Sequence, residues 1–177
     1  MKNYNKITFI LCFFTLLSYS QESKVEKNIY GGQIGVYGIW AYNETQLIHN
    51  TVLRTEIGTD IGFGKNFFIA NPSITIEPKW YYNIKKRQIK GKDIKNNSAN
   101  FISLQTKYYL DNIIKNNQRE EYNLNNILKS NITWGIRRNI NNSLNYETGF
   151  GLGIQRNFKT NNFESSINIH LRFGLGW

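Results

Sequence analysis

The chain is poor in the residues that crosslink small exported domains or ligate metals. Its 177 residues include one cysteine, Cys12, two prolines and two histidines. Cys12 lies within a leader that carries the marks of an export signal. Lys2 and Lys6 precede the apolar run 7–17, and Ser18-Tyr19-Ser20 then sets small residues ahead of Gln21. Leu11 before Cys12 departs from the small residue of a lipoprotein signal, so no lipid anchor is expected. With residues 1–20 as signal peptide, the domain 21–177 has no thiol. Disulfides, zinc–thiolate sites and cysteine catalysis are excluded together.

Long hydrophobic runs are missing too. Outside the leader no apolar stretch approaches the ~18 residues that mark a membrane-spanning helix, and the mean hydropathy is −0.48. A polytopic helical membrane protein is excluded. The chain is also about half as long as a sixteen-stranded porin requires. Acidic residues are few, 12 against 22 basic ones, for a net charge of +10. A nucleic-acid binder gathers its cations on one face beside stacking aromatics. Here they spread along the chain, with knots at Lys85-Lys86-Arg87 and Arg137-Arg138, and no nucleic-acid partner is expected.

What is plentiful is alternation. From residue 31 onward, apolar and polar positions alternate with a period of two, between breaks rich in Asn, Lys and Gly. Residues 31–42 place Ile34, Val36, Trp40 and Tyr42 on one face. Residues 51–63 set Leu53, Ile57, Ile61 and Phe63 against Arg54, Glu56 and Asp60. Residues 73–85 set Ile74, Ile76, Trp80, Tyr82 and Ile84 against Thr75, Glu77, Lys79 and Tyr81. Residues 99–110 oppose Ile102, Leu104 and Tyr108 to Ser103, Gln105 and Lys107. In 128–138, Ile132, Trp134 and Ile136 lie opposite Lys129, Asn131 and Arg137. In 144–156, Tyr146, Phe150 and Leu152 lie opposite Glu147 and Gly149. Residues 166–177 end the series with Ile167, Ile169, Phe173 and Trp177 opposite His170 and Arg172.

Seven segments of about 11–13 residues exceed the soluble mode of ~5–6. They match the ~9–11 residues that cross a bilayer at a tilt. Large aromatics at segment ends suit a membrane–water interface. Trp177, on the most regular segment, resembles the terminal aromatic by which outer-membrane barrels are recognised for assembly. The expected fold is all-β: an antiparallel transmembrane β-barrel of about eight strands. Barrels of this kind have an even strand number, so one strand hides in 21–30 or in 111–126. The first location is preferred. It places Trp40, Trp80, Trp134 and Trp177 near the periplasmic rim, in an aromatic girdle that Tyr82 and Tyr146 complete. It also puts 111–126 at the outer surface and the basic stretch 87–98 in the periplasm.

With the apolar faces outward, the lumen holds Arg54, Glu56, Asp60, Glu77, Lys79, Lys107, Lys129, Arg137, Glu147, His170 and Arg172. An eight-stranded interior is just wide enough for side chains to fill, and an unpaired buried charge costs several kcal/mol. An ion-pair plug is therefore expected. One internal echo bears on it: Glu56-x-Gly58-x3-Gly62 recurs as Glu147-x-Gly149-x3-Gly153. On the preferred count the two copies lie on opposite walls, each aiming a glutamate inward.

Catalytic signals are weak. His170 is followed two residues later by Arg172, so the H-x-S pattern of lipid A-trimming barrels is absent, and no His/Asp/Glu cluster has metal-ligand spacing. Neither enzyme activity nor a cofactor is expected. The run Glu77-Pro78-x-Trp80-Tyr81-Tyr82-Asn83, followed by Lys86-Arg87, Gly91-Lys92 and Asn96-Asn97-Ser98, resembles small outer-membrane β-barrel proteins of the Bacteroidetes. Trp134-Gly135-Ile136-Arg137-Arg138 and Tyr146-Glu147-x-Gly149-x-Gly151 are similar to the same group. The resemblance implies an outer-membrane barrel and brings no substrate or catalytic residue. The expected protein is a monomer with a packed polar lumen and a structural or surface-interaction role. Its partners would be outer-membrane lipids and the barrel-assembly machinery. The alternatives are a narrow pore for ions or small solutes, and a soluble periplasmic ligand-binding barrel with its apolar face turned inward.

Overall fold

The computed structural model describes residues 24–64, 67–110, 113–116 and 126–177. The leader 1–20 and most of 111–126 lie outside the described residues. Among the described residues nine strands follow in order: β1 (Asn28–Gly35), β2 (Gly38–Ile48), β3 (Thr51–Gly64), β4 (Phe67–Trp80), β5 (Asn100–Tyr109), β6 (Ile113–Asn116), β7 (Ile127–Asn139), β8 (Leu144–Asn157) and β9 (Asn162–Gly176). A short helix, α1 (Ile84–Ile89), and a 3-10 turn (Lys95–Asn97) lie between β4 and β5. All pairings are antiparallel, and β1–β9 and β3–β4 contacts close the sheet on itself. β4 pairs with β5 over one part of its length and with β6 over another, so these two pieces share one wall position. The result is a closed eight-stranded antiparallel barrel.

Both prolines sit on β4, at breaks in this seam. Pro72 falls between the β6 ladder, which ends at Ala70, and the β5 ladder, which starts at Ser73. Pro78 falls where the β4–β5 register skips from Ile76 to Lys79. A residue without an N–H fits only where the ladder asks for none.

The eighth strand comes from a correction near the N-terminus. Residues 31–42, expected as one strand, are two: the chain turns at Val36 and Tyr37, and Ile34 pairs with Ile39. A two-residue turn puts partners of opposite parity on one face. Ile34 and Ile39 therefore point outward while Trp40 and Tyr42 turn inward, with Trp40 only 7% exposed. β2 then continues through 43–48, which the alternation alone presents as a break. The stretch 73–85 also ends early. β4 stops at Trp80, and Ile84, expected on the outer face, is buried at the start of α1.

One end of the barrel carries the start of β1, the turns at 49–50 and 140–143, the connection 81–99 and Trp177; we call it the terminal end. The other carries the turns at 36–37 and 158–161 and the exit from β5. The stretch 87–98 thus shares an end with Trp177, and β5 exits at the opposite end.

The barrel is inside out relative to a soluble domain. Ile57, Ile132, Ile167 and Ile169 on the outer face are 64–68% exposed, while Arg54, Lys79, Glu44 and Arg137 inside are completely buried. Apolar side chains pack inward at the terminal end, where Val25, Val52, Tyr81, Ile84, Ala99 and Phe101 form a small cluster.

Candidate functional site: a closed charged lumen

The period-two pattern of each strand sends every second side chain into the barrel, and charged ones meet in the half of the barrel nearer the terminal end. Arg54 on β3 donates to Glu56 at 2.7 Å and lies 3.3 Å from Glu44 on β2. It also lies 4.0 Å from Glu77 and 3.9 Å from Glu147. Arg137 on β7 reaches Glu44 at 2.7 Å and Glu147 at 2.5 Å. Lys79 contacts Glu147 at 2.9 Å and Glu77 at 3.7 Å, and Arg172 on β9 contacts Glu56 at 2.8 Å. Arg54, Lys79, Arg137 and Arg172 thus face Glu44, Glu56, Glu77 and Glu147, in equal number. Ser103 donates to Glu77 at 2.6 Å.

Aromatic rings wall this cluster. The Arg54 guanidinium stacks 3.9 Å from the Tyr42 ring centre, Arg172 lies 4.1 Å from that of Trp40, and Lys79 4.2 Å from that of Phe101. Each ring offers its negative face to a cation that has lost water. Inward glycines make room for them: a Cβ at Gly31 would overlap Tyr42, one at Gly58 Trp40, and one at Gly135 Phe101. These three inward glycines therefore serve as seats for rings.

A second, smaller group lies towards the opposite end. Asp60 accepts from Lys107 at 3.1 Å, Trp40 Nε1 at 3.2 Å and the Tyr109 hydroxyl at 2.5 Å. Lys129 lies 5.1 Å from the Tyr109 ring centre. Asp60, Asn71, Tyr109, Ile127 and Lys129 line a half-open cavity of about 200 Å³.

The terminal end is capped from within. Tyr81 donates to Glu44 (3.1 and 3.3 Å), and burial pushes its phenol well above the ordinary value, so it stays protonated. Asn97 donates to the same carboxylate at 3.0 Å and accepts from the Glu26 amide at 2.9 Å. Asn96 donates its amide to Glu26 at 2.7 Å, and its carbonyl accepts from Arg137 at 3.4 Å. Asn96 and Asn97 adopt φ of 49° and 55°, a region in which Asn is among the few tolerated side chains. That local bend folds 94–99 over the charges.

The structure brings together Arg54, Glu56, Glu77, Lys79, Arg137, Glu147 and Arg172 in one network, and Asp60 with Lys107 in the other. His170 stands 3.6 Å from Glu147. Glu44, which sequence reasoning missed, pairs with both Arg54 and Arg137. Of the expected girdle, Trp80, Tyr82, Trp134 and Trp177 are exposed on the outer face and Tyr146 half-exposed; Trp40 is inside. Trp134 Nε1 donates to the Tyr82 hydroxyl at 3.0 Å, and the Trp80 and Tyr82 rings lie 5.9 Å apart. Among the described residues no group of three His, Cys, Asp or Glu side chains is placed to hold a metal ion. No family profile, curated protein or solved structure matches the chain.

Proposed function

We propose that this protein is an integral β-barrel of the outer membrane, with a lumen closed by ion pairs and a structural or surface-interaction role. The observation that carries the reading is the reversal of polarity. A contiguous aliphatic outer wall surrounds a charged interior, the arrangement a bilayer selects. A soluble barrel for apolar ligands needs the opposite arrangement. The cap over Glu44 and the paired, buried charges below it favour a plug over a pore. The buried charges serve one another, which supports a structural role. Insertion would proceed with the barrel-assembly machinery and end as a monomer.

The test is reconstitution. The protein should co-float with phosphatidylcholine vesicles, migrate heat-modifiably, and leave planar bilayers non-conducting. A protein that stays soluble without detergent contradicts the membrane reading. Discrete single-channel steps favour the pore.

A further inference from the structure

The lumen uses none of the lysines at 86, 90 and 92. Together with Arg87 and Arg138 they frame a cleft of about 450 Å³ at the terminal end, with Tyr82 and Asn83 between them. No lining residue is acidic. Asp93, next in sequence, turns its carboxylate to the Asn139 amide at 2.7 Å and the Lys95 N–H at 2.9 Å. Arg87 donates through Nη2 to the Asp93 carbonyl at 2.8 Å, and its Nε is buried without an acceptor. Arg138 is held in place by Asn100 and by the Arg137 carbonyl. Five cations gathered without a counter-charge repel one another and favour an anion between them.

The position of the cleft indicates which anion. Tyr82 lines it and belongs to the outward aromatic group with Trp80 and Trp134. Such rings settle at the headgroup level of a bilayer. Within α1, buried Ile84 anchors the helix to the cap while Ile89 is 76% exposed. Lys90, which ends α1, lies one turn beyond Lys86 and donates its N–H to the Lys86 carbonyl at 3.3 Å. This inference rests on the membrane reading above. We infer that the cleft binds the phosphodiester headgroup of an anionic phospholipid in the leaflet beside the terminal end. Lys86, Lys90 and Arg138 supply the charge, and Ile89 dips towards the acyl chains. A soluble phosphate would account for the cations but not for the exposed isoleucine or the aromatic border.

The experiment uses the full chain in nanodiscs of phosphatidylcholine with a minor share of phosphatidylglycerol, and measures the lipid that stays with the protein on detergent extraction. Wild type should retain phosphatidylglycerol over phosphatidylcholine. The Lys86→Gln/Lys90→Gln variant should lose about tenfold of that preference. Lys27→Gln/Lys159→Gln, with the same loss of charge elsewhere, should keep it. Equal loss in both variants, or none in the first, overturns the site. Displacement by soluble glycerol phosphate at the concentration of the lipid overturns the lipid source, as does preferential retention of lipopolysaccharide. Insertion without enrichment sinks this inference alone. Failure to insert sinks the membrane reading and this inference with it.

Discussion

Arg137 on β7 crosses the lumen to Glu44 on β2, at 2.7 Å, and the same nitrogen lies 2.5 Å from Glu147 on β8. β2 and β7 stand on opposite walls, so one guanidinium ties the two sides of the barrel together. Arg54 makes the complementary span, from Glu56 on its own strand to Glu147 across the lumen at 3.9 Å. The echoed glutamates thus meet through a shared arginine. Opposed walls are held by charge and not by a packed apolar core.

Glu44→Leu should be the most damaging single change in this network. It leaves Arg54 and Arg137 short of a carboxylate and removes the acceptor for Tyr81 and Asn97. Breaking a buried pair from one side costs about 3–5 kcal/mol. Ile57→Leu on the outer face should cost less than about 1.5 kcal/mol. Urea unfolding of the reconstituted protein measures both; similar midpoints would mean that the charges inside are not buried.

The glycines of the echo should respond unequally. A Cβ at Gly58 would run into Trp40 and the Ile39 carbonyl, whereas one at Gly62 meets nothing within 4 Å. Gly58→Ala is expected to destabilise by about 1–3 kcal/mol, the range for overpacking. Gly62→Ala is expected to be neutral or stabilising by up to about 1 kcal/mol, because Ala loses less backbone freedom than Gly in a strand. Thermal unfolding of the two variants side by side makes the comparison.

Trp177 closes the seam through its backbone. It exchanges two hydrogen bonds of 3.0 Å with Tyr30 while its side chain stands on the outer face. Trp177→Asp keeps both bonds and removes the ring, so any loss of folded, heat-modifiable protein in the outer membrane reports on the side chain as an assembly signal. A clear loss is expected, with Trp177→Phe close to wild type. Normal levels of the Asp variant would refute the role.

How much of this was legible in the sequence depended on parity. The six segments from 51 onward keep strict alternation, and apart from Ile84, which lies beyond the end of β4, their inward and outward sets match the burial of the described side chains, from Arg54 and Ile57 to Arg172 and Phe173. At 31–42 the alternation persisted through a two-residue turn, which reversed the faces without disturbing the pattern. The alternation therefore places Trp40 outside and Glu44 in a break. Gly35 and Gly38, flanking the turn, were the available signal. The cap was hidden for another reason: α1 has six residues, too few for a helical period. The Asn96-Asn97 bend shows only in dihedrals.

Orientation is open to a direct check. Lys92 belongs to the terminal end and Lys159 to the turn at the opposite end. An epitope inserted at Lys159 should be reached by antibody on intact cells, and one at Lys92 only after the outer membrane is permeabilised. Labelling of Lys92 alone on intact cells would invert the barrel in the membrane.

The most direct measurement compares two tryptophans in the reconstituted protein, using single-tryptophan variants with Phe at the other positions and lipids brominated on the acyl chain. Trp134, about half exposed on the outer wall, should be strongly quenched, and Trp40, 7% exposed in the lumen, should keep its emission. Strong quenching of Trp40, or none of Trp134, would contradict a barrel that meets lipid with its apolar face and holds its charges inside.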